Sequence, residues 1–283
     1  MSSVIKIVEC PRDAMQGISE FIPTQKKIEY INQLLKVGFN TIDFGSFVSP
    51  KAIPQLKDTA EVLAGLDLSN TSSKLLSIIA NNRGAETACT FEQINYLGFP
   101  LSVSEEFQQR NTNKSITQAL GVVEDIQNLA VKNNKELVVY LSMAFGNPYA
   151  ENYHPDIVDK LTEKLHNLEI GIIALSDTIG ISEPKNIAPL FNTLIINYPT
   201  IEFGAHFHTT PETWEEKVDS AYQNGCRRFD AALKGYGGCP MAKDKITGNM
   251  PTEKLITYFS EGLGLNTAEL VKSLEFINFI FNT

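Results

Sequence analysis

The stretch TQKKIEYINQLLKVGFNTIDF, residues 24–44, combines the two patterns that decide the fold. In its first part, apolar side chains recur at the spacing of one helix face: Ile28, Ile31, Leu34 and Leu35. Thr24 precedes this stripe and is the expected helix cap. The last five residues, 40–44, form a short apolar run that is typical of a strand. The segment therefore predicts a helix that leads into a strand.

This alternation continues along the whole chain. Short apolar or β-branched runs occur at residues 4–9, 40–44, 74–80, 94–101, 136–143, 170–176, 200–207 and 227–233. Longer segments with helical spacing lie between them, and residues 115–131 are a clear example. The runs are about 30 residues apart on average, which is the size of one strand–helix unit. Alternating units predict a parallel sheet, and about eight of them predict a (β/α)8 TIM barrel rather than an open sheet.

The end of the chain adds a helix to this barrel. After a helical segment at residues 252–263, a second one covers residues 267–281, with an apolar face formed by Leu270, Leu274, Ile277 and Phe281. We expect this face to cover the bottom of the barrel or to pack against a partner subunit, and we predict a homodimer. No linker or low-complexity segment divides the sequence, so residues 1–283 are predicted to form a single TIM-barrel domain.

Composition and charge limit the classes of function. The 283 residues carry 24 Lys and Arg against 33 Asp and Glu, a net charge of −9, which argues against general affinity for nucleic acids or anionic membranes. The longest apolar stretch is too short to span a bilayer, and no targeting segment is recognisable. Four widely spaced cysteines without a Cys-x-x-Cys pair indicate a reducing compartment. We therefore expect a cytoplasmic protein.

The predicted strand ends carry polar residues that a barrel would bring to one rim, where barrel enzymes place their chemistry. His206 and His208 lie two residues apart on one predicted strand, so both imidazoles should point into the barrel mouth. Two imidazoles on one face favour a divalent metal site. The alternative is an exposed polar strand end with no bound metal.

Two acidic motifs follow other strands. Asp13 could supply an oxygen ligand after the first strand, and the neighbouring Arg12 could meet developing negative charge. A surface ion pair or a turn is the alternative for these two residues. Asp177, at the end of the sixth run, is interpreted as a helix N-cap rather than a catalytic group.

A glycine-rich loop at residues 234–240 follows the eighth run and carries Cys239. Glycines permit close approach to a ligand, so this loop could close over a site, or it could bind phosphate as late loops of barrels often do. The other three cysteines, Cys10, Cys89 and Cys226, are expected to be inert packing residues.

Taken together, the motifs resemble those of the 3-hydroxy-3-methylglutaryl-CoA lyase family of DRE-TIM metallolyases. The matching stretches are residues 8–16 (VECPRDAMQ), 46–51 (SFVSPK) with 54–55, 177–180 (DTIG), 206–208 (HFH), 235–242 (GYGGCPMA), and 248–249 with 252–253. They extend over nearly the full length, and the SFVSPK and GxGGCP blocks are specific to the lyases. The resemblance implies cleavage of 3-hydroxy-3-methylglutaryl-CoA to acetoacetate and acetyl-CoA, in leucine degradation and ketone body formation.

The same resemblance assigns roles to individual residues. It implies that a divalent cation is bound by Asp13, His206, His208 and Asn249. This set of oxygen and nitrogen ligands suits Mg²⁺ or Mn²⁺. Arg12 would stabilise the enolate oxygen, and Cys239 would act in proton transfer. Asp13 or a neighbouring carboxylate is the candidate base, and Asp43 occupies the place of a glutamate in the lyases.

The sequence also departs from the family pattern. Gly17 and Ile18 stand where the lyases carry Asn-Glu, and residues 209–212 (TTPE) stand where they carry Asp-Thr-Tyr-Gly. Asp43 is one methylene shorter than the family glutamate. A citramalate-synthase-like condensation, a 4-hydroxy-2-oxo-acid aldolase-like cleavage and a non-catalytic acyl-CoA-binding barrel therefore stay open as alternatives. The Gly-Gly-Cys-Pro block favours the lyase over the first two.

Overall fold

Eight parallel strands enclose the centre of the protein. The computed structural model describes residues 4–238, 247–260 and 262–281. The barrel strands are β1 (Lys6–Glu9), β2 (Thr41–Ser46), β3 (Lys74–Ile78), β4 (Ile94–Ser102), β5 (Glu136–Ser142), β6 (Ile172–Asp177), β7 (Glu202–Thr209) and β8 (Arg228–Ala231). Each strand pairs with the next along the chain, and β8 pairs with β1, which closes the sheet. The predicted TIM barrel is confirmed, and each of the eight predicted runs contains one strand or most of it.

Helices surround this sheet. They are α1 (Pro11–Gln16), α2 (Thr24–Leu35), α3 (Thr59–Ala64), α4 (Asn82–Cys89), α5 (Glu105–Thr112), α6 (Ile116–Lys132), α7 (Pro155–Asn167), α8 (Pro184–Asn197), α9 (Trp214–Gln223), α10 (Thr252–Phe259) and α11 (Thr267–Phe281). A short strand, β9 (Gly248–Asn249), pairs antiparallel with the end of β7. Among the described helices, none has both the length and the hydropathy needed to cross a bilayer.

The barrel strands are buried on both faces, which explains why they read as continuous apolar runs. Their outward side chains pack beneath the helices in one large apolar core. The inward side chains fill the barrel, with a small cluster formed by Leu76, Val138, Tyr140, Ile172 and Ala174. The centre of the barrel is therefore a packed core.

The two helices singled out in the sequence begin differently from each other. Ser115 caps α6 by a capping box, in which its hydroxyl accepts from the Gln118 amide and the Gln118 side chain accepts from the Ser115 amide. Thr24 is not a cap, because α2 begins at Thr24 itself and follows Pro23. The Thr24 hydroxyl instead donates to the buried Asp58 carboxylate at 2.8 Å. The predicted Thr24 cap is therefore wrong.

The additional C-terminal helix, α11, is present, but it does not cover the barrel bottom. It lies along α2, where Phe276 stacks on Tyr30 with ring centroids 6.2 Å apart. Its last turn reaches the opposite end of the barrel, where Phe281 stacks on Tyr236 at 4.3 Å, just after β8. The helix α11 packs along α2 instead of the barrel bottom, and the alternative of contact with a partner subunit stays a prediction.

Candidate active site

Three predicted ligands come together at the carboxyl ends of the strands. Asp13 lies on α1, directly after β1, and His206 and His208 point inward from β7. One possible ligand atom from each side chain lies within 4.8 Å of the others. Asp13 and His208 are buried, and the side chain of His206 is 15% exposed. The alternative of an exposed polar strand end is therefore wrong for these histidines.

Hydrogen bonds to the Nδ1 atoms determine which imidazole nitrogen is available. Nδ1 of His206 lies 3.1 Å from a carboxylate oxygen of Asp230, and Nδ1 of His208 lies 2.9 Å from the carbonyl oxygen of Thr178. Both partners only accept, so each Nδ1 carries the proton and each neutral ring keeps its lone pair on Nε2. Both Nε2 atoms are thus left for a cation, as in many histidine metal sites.

Arg12 joins two carboxylates of this cluster. Its Nε donates to Asp43 at 3.0 Å, and its Nη1 donates to Asp13 at 2.9 Å and to Gln16 at 3.0 Å. Gln16 in turn donates to Asp13 at 2.6 Å. Arg12 and Asp13 are 8% and 6% exposed, so the alternative of a surface ion pair is wrong.

These charges shift the pKa values of the two carboxylates in opposite directions. Burial raises the pKa of Asp13, but the charge of Arg12, with the two histidines when they are protonated and the hydrogen bond from Asn249, outweighs it and holds this pKa below its usual value. Burial raises the pKa of Asp43 to about 6, and the charge of Arg12 offsets only part of the shift. Asp13 is therefore the carboxylate that is fully ionised at neutral pH, as a metal ligand must be.

The two imidazoles also differ. Burial and the neighbouring charge of His206 lower the pKa of His208, which favours the neutral ring. Burial lowers the pKa of His206 as well, but its bond to Asp230 raises the value overall. A cation at His206 must therefore compete with a proton, and it binds more readily as the pH rises.

Asn249 reaches the cluster from β9, where it pairs with His208. Its amide nitrogen donates to Asp13 at 2.6 Å and to the carbonyl oxygen of Tyr236 at 2.9 Å. Asn249 is 4% exposed, so the structure brings all four predicted ligands to one place. In this arrangement, however, the amide nitrogen of Asn249 faces Asp13.

The glycine-rich loop packs against the same residues. Gly235, Gly237 and Gly238 have φ angles of +67°, +89° and +117°, a backbone conformation that favours glycine. A Cβ on Gly237 would lie 2.7 Å from the carbonyl oxygen of Asp13 and 2.8 Å from the amide nitrogen of Asn249. Cys239, the predicted proton-transfer residue, lies outside the described residues.

Asp177 supports the site from below and does not cap a helix. Its carboxylate accepts from the Ser182 amide and hydroxyl at 3.1 and 2.6 Å, and from the buried Lys217 at 2.7 Å. The cap position of α8 belongs to Glu183. The N-cap prediction was wrong because Asp177 ends β6 and is paired with Lys217, which holds the turn that presents the Thr178 carbonyl to His208.

A cavity of about 460 Å³ opens over this cluster. Its polar lining includes Arg12, Asp13, Gln16, His206 and His208, and its apolar lining includes Val48, Ala52, Ile53, Ile78, Pro100 and Phe107. Gly17 also lines the cavity, so this departure from the lyase pattern lies within the candidate site. Residues 209–212 do not line it; Thr209 pairs with Gly248, and Thr210 bonds to Thr213.

Sequence reasoning missed Asp230, Tyr140 and the Thr178 carbonyl. Tyr140 meets the His206 ring edge-on at a centroid distance of 5.6 Å. A signal for Asp230 was present, because a carboxylate stands in the middle of the apolar run 227–233. A charged residue inside a buried strand usually has a specific partner, and here that partner is His206.

Comparisons with known proteins give a consistent result. A family model described as HMGL-like matches residues 5–277. Hydroxymethylglutaryl-CoA lyase YngG of Bacillus subtilis (strain 168) is 34% identical over 257 residues, which cover 91% of this chain and 85% of that protein. Cytoplasmic 3-hydroxy-3-methylglutaryl-CoA lyase of Rattus norvegicus is 34% identical over 278 residues, which cover 98% of this chain and 80% of that protein.

Solved structures show the same similarity. The crystal structure of the Bacillus subtilis HMG-CoA lyase matches with a TM-score of 0.91 and 32% identity, over 98% of this chain and 93% of that one. An HMG-CoA lyase from Acinetobacter baumannii in complex with coenzyme A and 3-methylmalate matches with a TM-score of 0.89 and 30% identity. That match covers 100% of this chain and 93% of the other.

Proposed function

Because the chain belongs to the HMGL-like family, we propose that it is a metal-dependent carbon–carbon lyase that cleaves 3-hydroxy-3-methylglutaryl-CoA to acetoacetate and acetyl-CoA. One structural observation supports this proposal independently of the names of the relatives. Asp13, His206 and His208 converge beside Arg12, and all four line a cavity of about 460 Å³. A metal-ligating set and a buried cation beside it are what an enolate-forming lyase requires.

The side chains at this place fit a divalent cation. Asp13 is ionised, and the Nε2 atoms of His206 and His208 are free of other hydrogen bonds in the described part of the chain. Oxygen and imidazole ligands without a thiolate favour Mg²⁺ or Mn²⁺. Asn249 would complete the set through its amide oxygen, which requires its amide to turn away from the present bond to Asp13. When bound, the cation would supply Lewis-acid chemistry that orients the substrate and lowers the pKa of its hydroxyl.

The residues of the chain have distinct roles in this reaction. The tertiary hydroxyl of the substrate loses its proton while the carbon–carbon bond breaks, and the thioester fragment leaves as an enolate. Arg12 stabilises the negative charge on the enolate oxygen, and its burial makes that stabilisation stronger than in water. Asp43 does not line the cavity, so we assign it the task of holding Arg12 in place. Asp13, the carboxylate that lines the cavity in the described part of the chain, is the candidate acceptor for the hydroxyl proton.

Cys239 is proposed to protonate the enolate carbon. The support is its place in the chain, one residue after Gly238, in a loop whose preceding glycines contact Asp13 and Asn249. A thiol is a far stronger acid than a serine hydroxyl, and a loop can exclude water as it closes.

The proposal also includes the class of substrate, the oligomeric state, the compartment and the pathway. The relative from Acinetobacter baumannii binds coenzyme A, which supports an acyl-CoA substrate here. We also propose that residues 1–283 form one catalytic domain, that the protein is a cytoplasmic homodimer, and that it acts in leucine degradation and ketone body formation. The cytoplasmic relative from Rattus norvegicus supports the compartment.

Removal and return of the metal test this proposal. We expect chelation to abolish cleavage of the substrate and Mg²⁺ or Mn²⁺ to restore it. His208→Ala should lower both metal content and turnover, because it removes a ligand at a strand end without opening the core. His166→Ala, on the surface of α7, is the matched control and should retain both. Full activity of metal-free protein would contradict the assignment.

A further inference from the structure

We propose that Lys217 is a positioning residue for the metal site. It fixes the His208 imidazole, because it binds both the main chain of His208 and the turn that accepts the hydrogen bond from Nδ1. The inference rests on the proposed function, since His208 is a ligand of the proposed cation. It gives a role to a buried lysine that the proposed reaction does not otherwise use and that no sequence motif indicated.

Lys217 is buried near the start of α9, where it is 1% exposed. Its Nζ donates to the carbonyl oxygen of His208 at 2.9 Å, to a carboxylate oxygen of Asp177 at 2.7 Å and to the carbonyl oxygen of Gly180 at 3.0 Å. A lysine carries three N–H donors, so these bonds use all of them. The side chain does not line the cavity, and its effect on the site must therefore pass through the groups that it binds.

The orientation of the His208 ring depends on its hydrogen bond to the turn after β6. Nδ1 of His208 lies 2.9 Å from the carbonyl oxygen of Thr178, and this contact leaves Nε2 for a cation. The bond that the second nitrogen of a ligating histidine makes fixes both the tautomer and the direction of the ring. A shift of the turn relative to β7 would therefore misdirect Nε2.

Main-chain pairing does not extend to this hydrogen bond. The parallel register of β6 and β7 ends with Asp177 opposite Phe207. Thr178 and His208 each follow one residue later, beyond the last position at which these two strands pair. The distance between the Thr178 carbonyl and the His208 ring therefore depends on side chains that join the turn to the end of β7.

The turn after β6 has hydrogen bonds of its own, and these do not reach β7. The Gly180 amide donates to the Asp177 carbonyl at 3.1 Å, which closes the turn. The Thr178 hydroxyl accepts from the Met143 amide at 2.9 Å, which connects the turn to the end of β5. Lys217 supplies the link that these bonds lack, because its Nζ contacts the turn and the end of β7 together.

The variants must separate this link from the burial of charge. Lys217 and Asp177 form an ion pair in which both side chains are 1% exposed, so loss of the lysine alone leaves a buried carboxylate without its counter-charge. Lys217→Met keeps the aliphatic stem and removes every donor. The double variant, Lys217→Met with Asp177→Asn, also removes the carboxylate, so that neither charge is buried alone.

Mn²⁺ binding to the metal-stripped protein is the first measurement, with free Mn²⁺ detected by electron paramagnetic resonance. We expect Lys217→Met and the double variant to bind Mn²⁺ about tenfold or more weakly than the wild type, since outer partners of metal ligands commonly contribute this much. Lys27→Met is the matched control. Lys27 is also 1% exposed and bonds to a buried carboxylate, Asp58, at 2.8 Å, so its loss should lower stability and leave Mn²⁺ affinity unchanged.

The second measurement needs no metal. In metal-free protein with isotope-labelled histidine, nuclear magnetic resonance follows the exchange of the Nδ1 protons with water. We expect Lys217→Met to accelerate this exchange at His208 by about tenfold or more, because the link that holds its acceptor is lost. His206 should be unchanged, since its partner is Asp230 on β8.

The outcomes separate this inference from the proposed function. Unchanged Mn²⁺ affinity in folded Lys217→Met, with only a lower melting temperature, would overturn the inference even if the wild type cleaves the acyl-CoA. Where Lys217→Met does not fold, the double variant decides in the same way. Equal acceleration at His206 and His208 would show general loosening and would also overturn it. Wild-type protein that binds Mn²⁺, with the expected losses in the variants but no cleavage, would contradict the lyase and support the inference.

Discussion

Arg12 is the residue on which the charge balance of the site depends. It bonds to two buried carboxylates, and its removal would leave Asp43 without a counter-charge. Arg12→Gln should lower kcat by about 10²–10³-fold with a much smaller change in KM, because the guanidinium acts on charge that develops in the transition state. Steady-state kinetics at saturating metal measures both parameters.

Arg12→Lys is the companion variant for this experiment. It keeps a positive charge beside Asp43 but loses the planar set of donors, so it should fold well and still lose most of the activity. An increase in KM at unchanged kcat in either variant would assign Arg12 to ground-state binding of the acyl-CoA instead.

At this scale, the sequence predicted the ligands better than the residues that hold them. Asp13, His206 and His208 could be placed because strand ends share a rim and alternate strand residues share a face. Asp230 could not be paired with His206, since that contact depends on the register between β7 and β8. The role of Thr178 depends on its carbonyl oxygen, which side-chain chemistry does not reveal.

Among the elements, β1 and α10 are joined by a buried carboxylate whose ionisation affects stability. Glu9, at the end of β1, accepts from the Leu233 amide at 3.0 Å and from the Thr252 hydroxyl. Burial raises the pKa of Glu9 to about 8, above the 4.5 of a free side chain. The folded state therefore holds a proton that the unfolded state releases, so this group's contribution to stability is complete below about pH 4.5 and is lost as the pH rises through 8.

Glu9→Gln should remove this pH dependence, because an amide imitates the protonated acid at every pH. We expect the free energy of unfolding of the variant to match that of the wild type near pH 5 to within about 1 kcal/mol and to exceed it above pH 8. Urea titrations at several pH values measure the difference. Glu61→Gln, at an exposed position of α3, serves as the control. Parallel curves for Glu9→Gln and wild type would contradict the argument.

The loop after β8 permits a second prediction. Ala at position 237 would be strained at a φ of +89° and would contact Asp13 and Asn249. We expect Gly237→Ala to lower kcat and raise KM together, each by about tenfold or more, since small displacements of ligands are costly in catalysis. Gly121→Ala on α6, where a Cβ meets nothing within 4 Å, should leave the kinetics unchanged. Wild-type kinetics for Gly237→Ala would show that the loop is not coupled to the site.

The elements were predictable to the extent that periodicity determines them. Eight strands and the long helices follow from alternating apolar patterns, and their order follows from the closure of a parallel sheet. The position of α11 did not follow, because an apolar face shows that a helix is covered but not by which neighbour. The start of α2 was misplaced for a similar reason, since the Thr24 hydroxyl is used by Asp58, 34 residues away.

For the molecule as a whole, closure of the barrel brings residues 13, 206, 208 and 249 together. These positions span more than 230 residues of sequence, yet the amide nitrogen of Asn249 lies 2.6 Å from a carboxylate oxygen of Asp13. A net charge of −9 makes local cations necessary for an anionic substrate, and Arg12 is the cation that lines the cavity among the described residues. Closure of the barrel therefore explains how distant residues form one site, and the chemistry of these residues supports the proposed lyase activity.

Product analysis tests the central claim most directly. Purified, Mg²⁺-loaded protein is incubated with 3-hydroxy-3-methylglutaryl-CoA, and acetoacetate and acetyl-CoA are measured by liquid chromatography and mass spectrometry. The lyase assignment predicts the two products in equal amounts, with none after chelation. Intact substrate after incubation with folded, metal-loaded protein would contradict it.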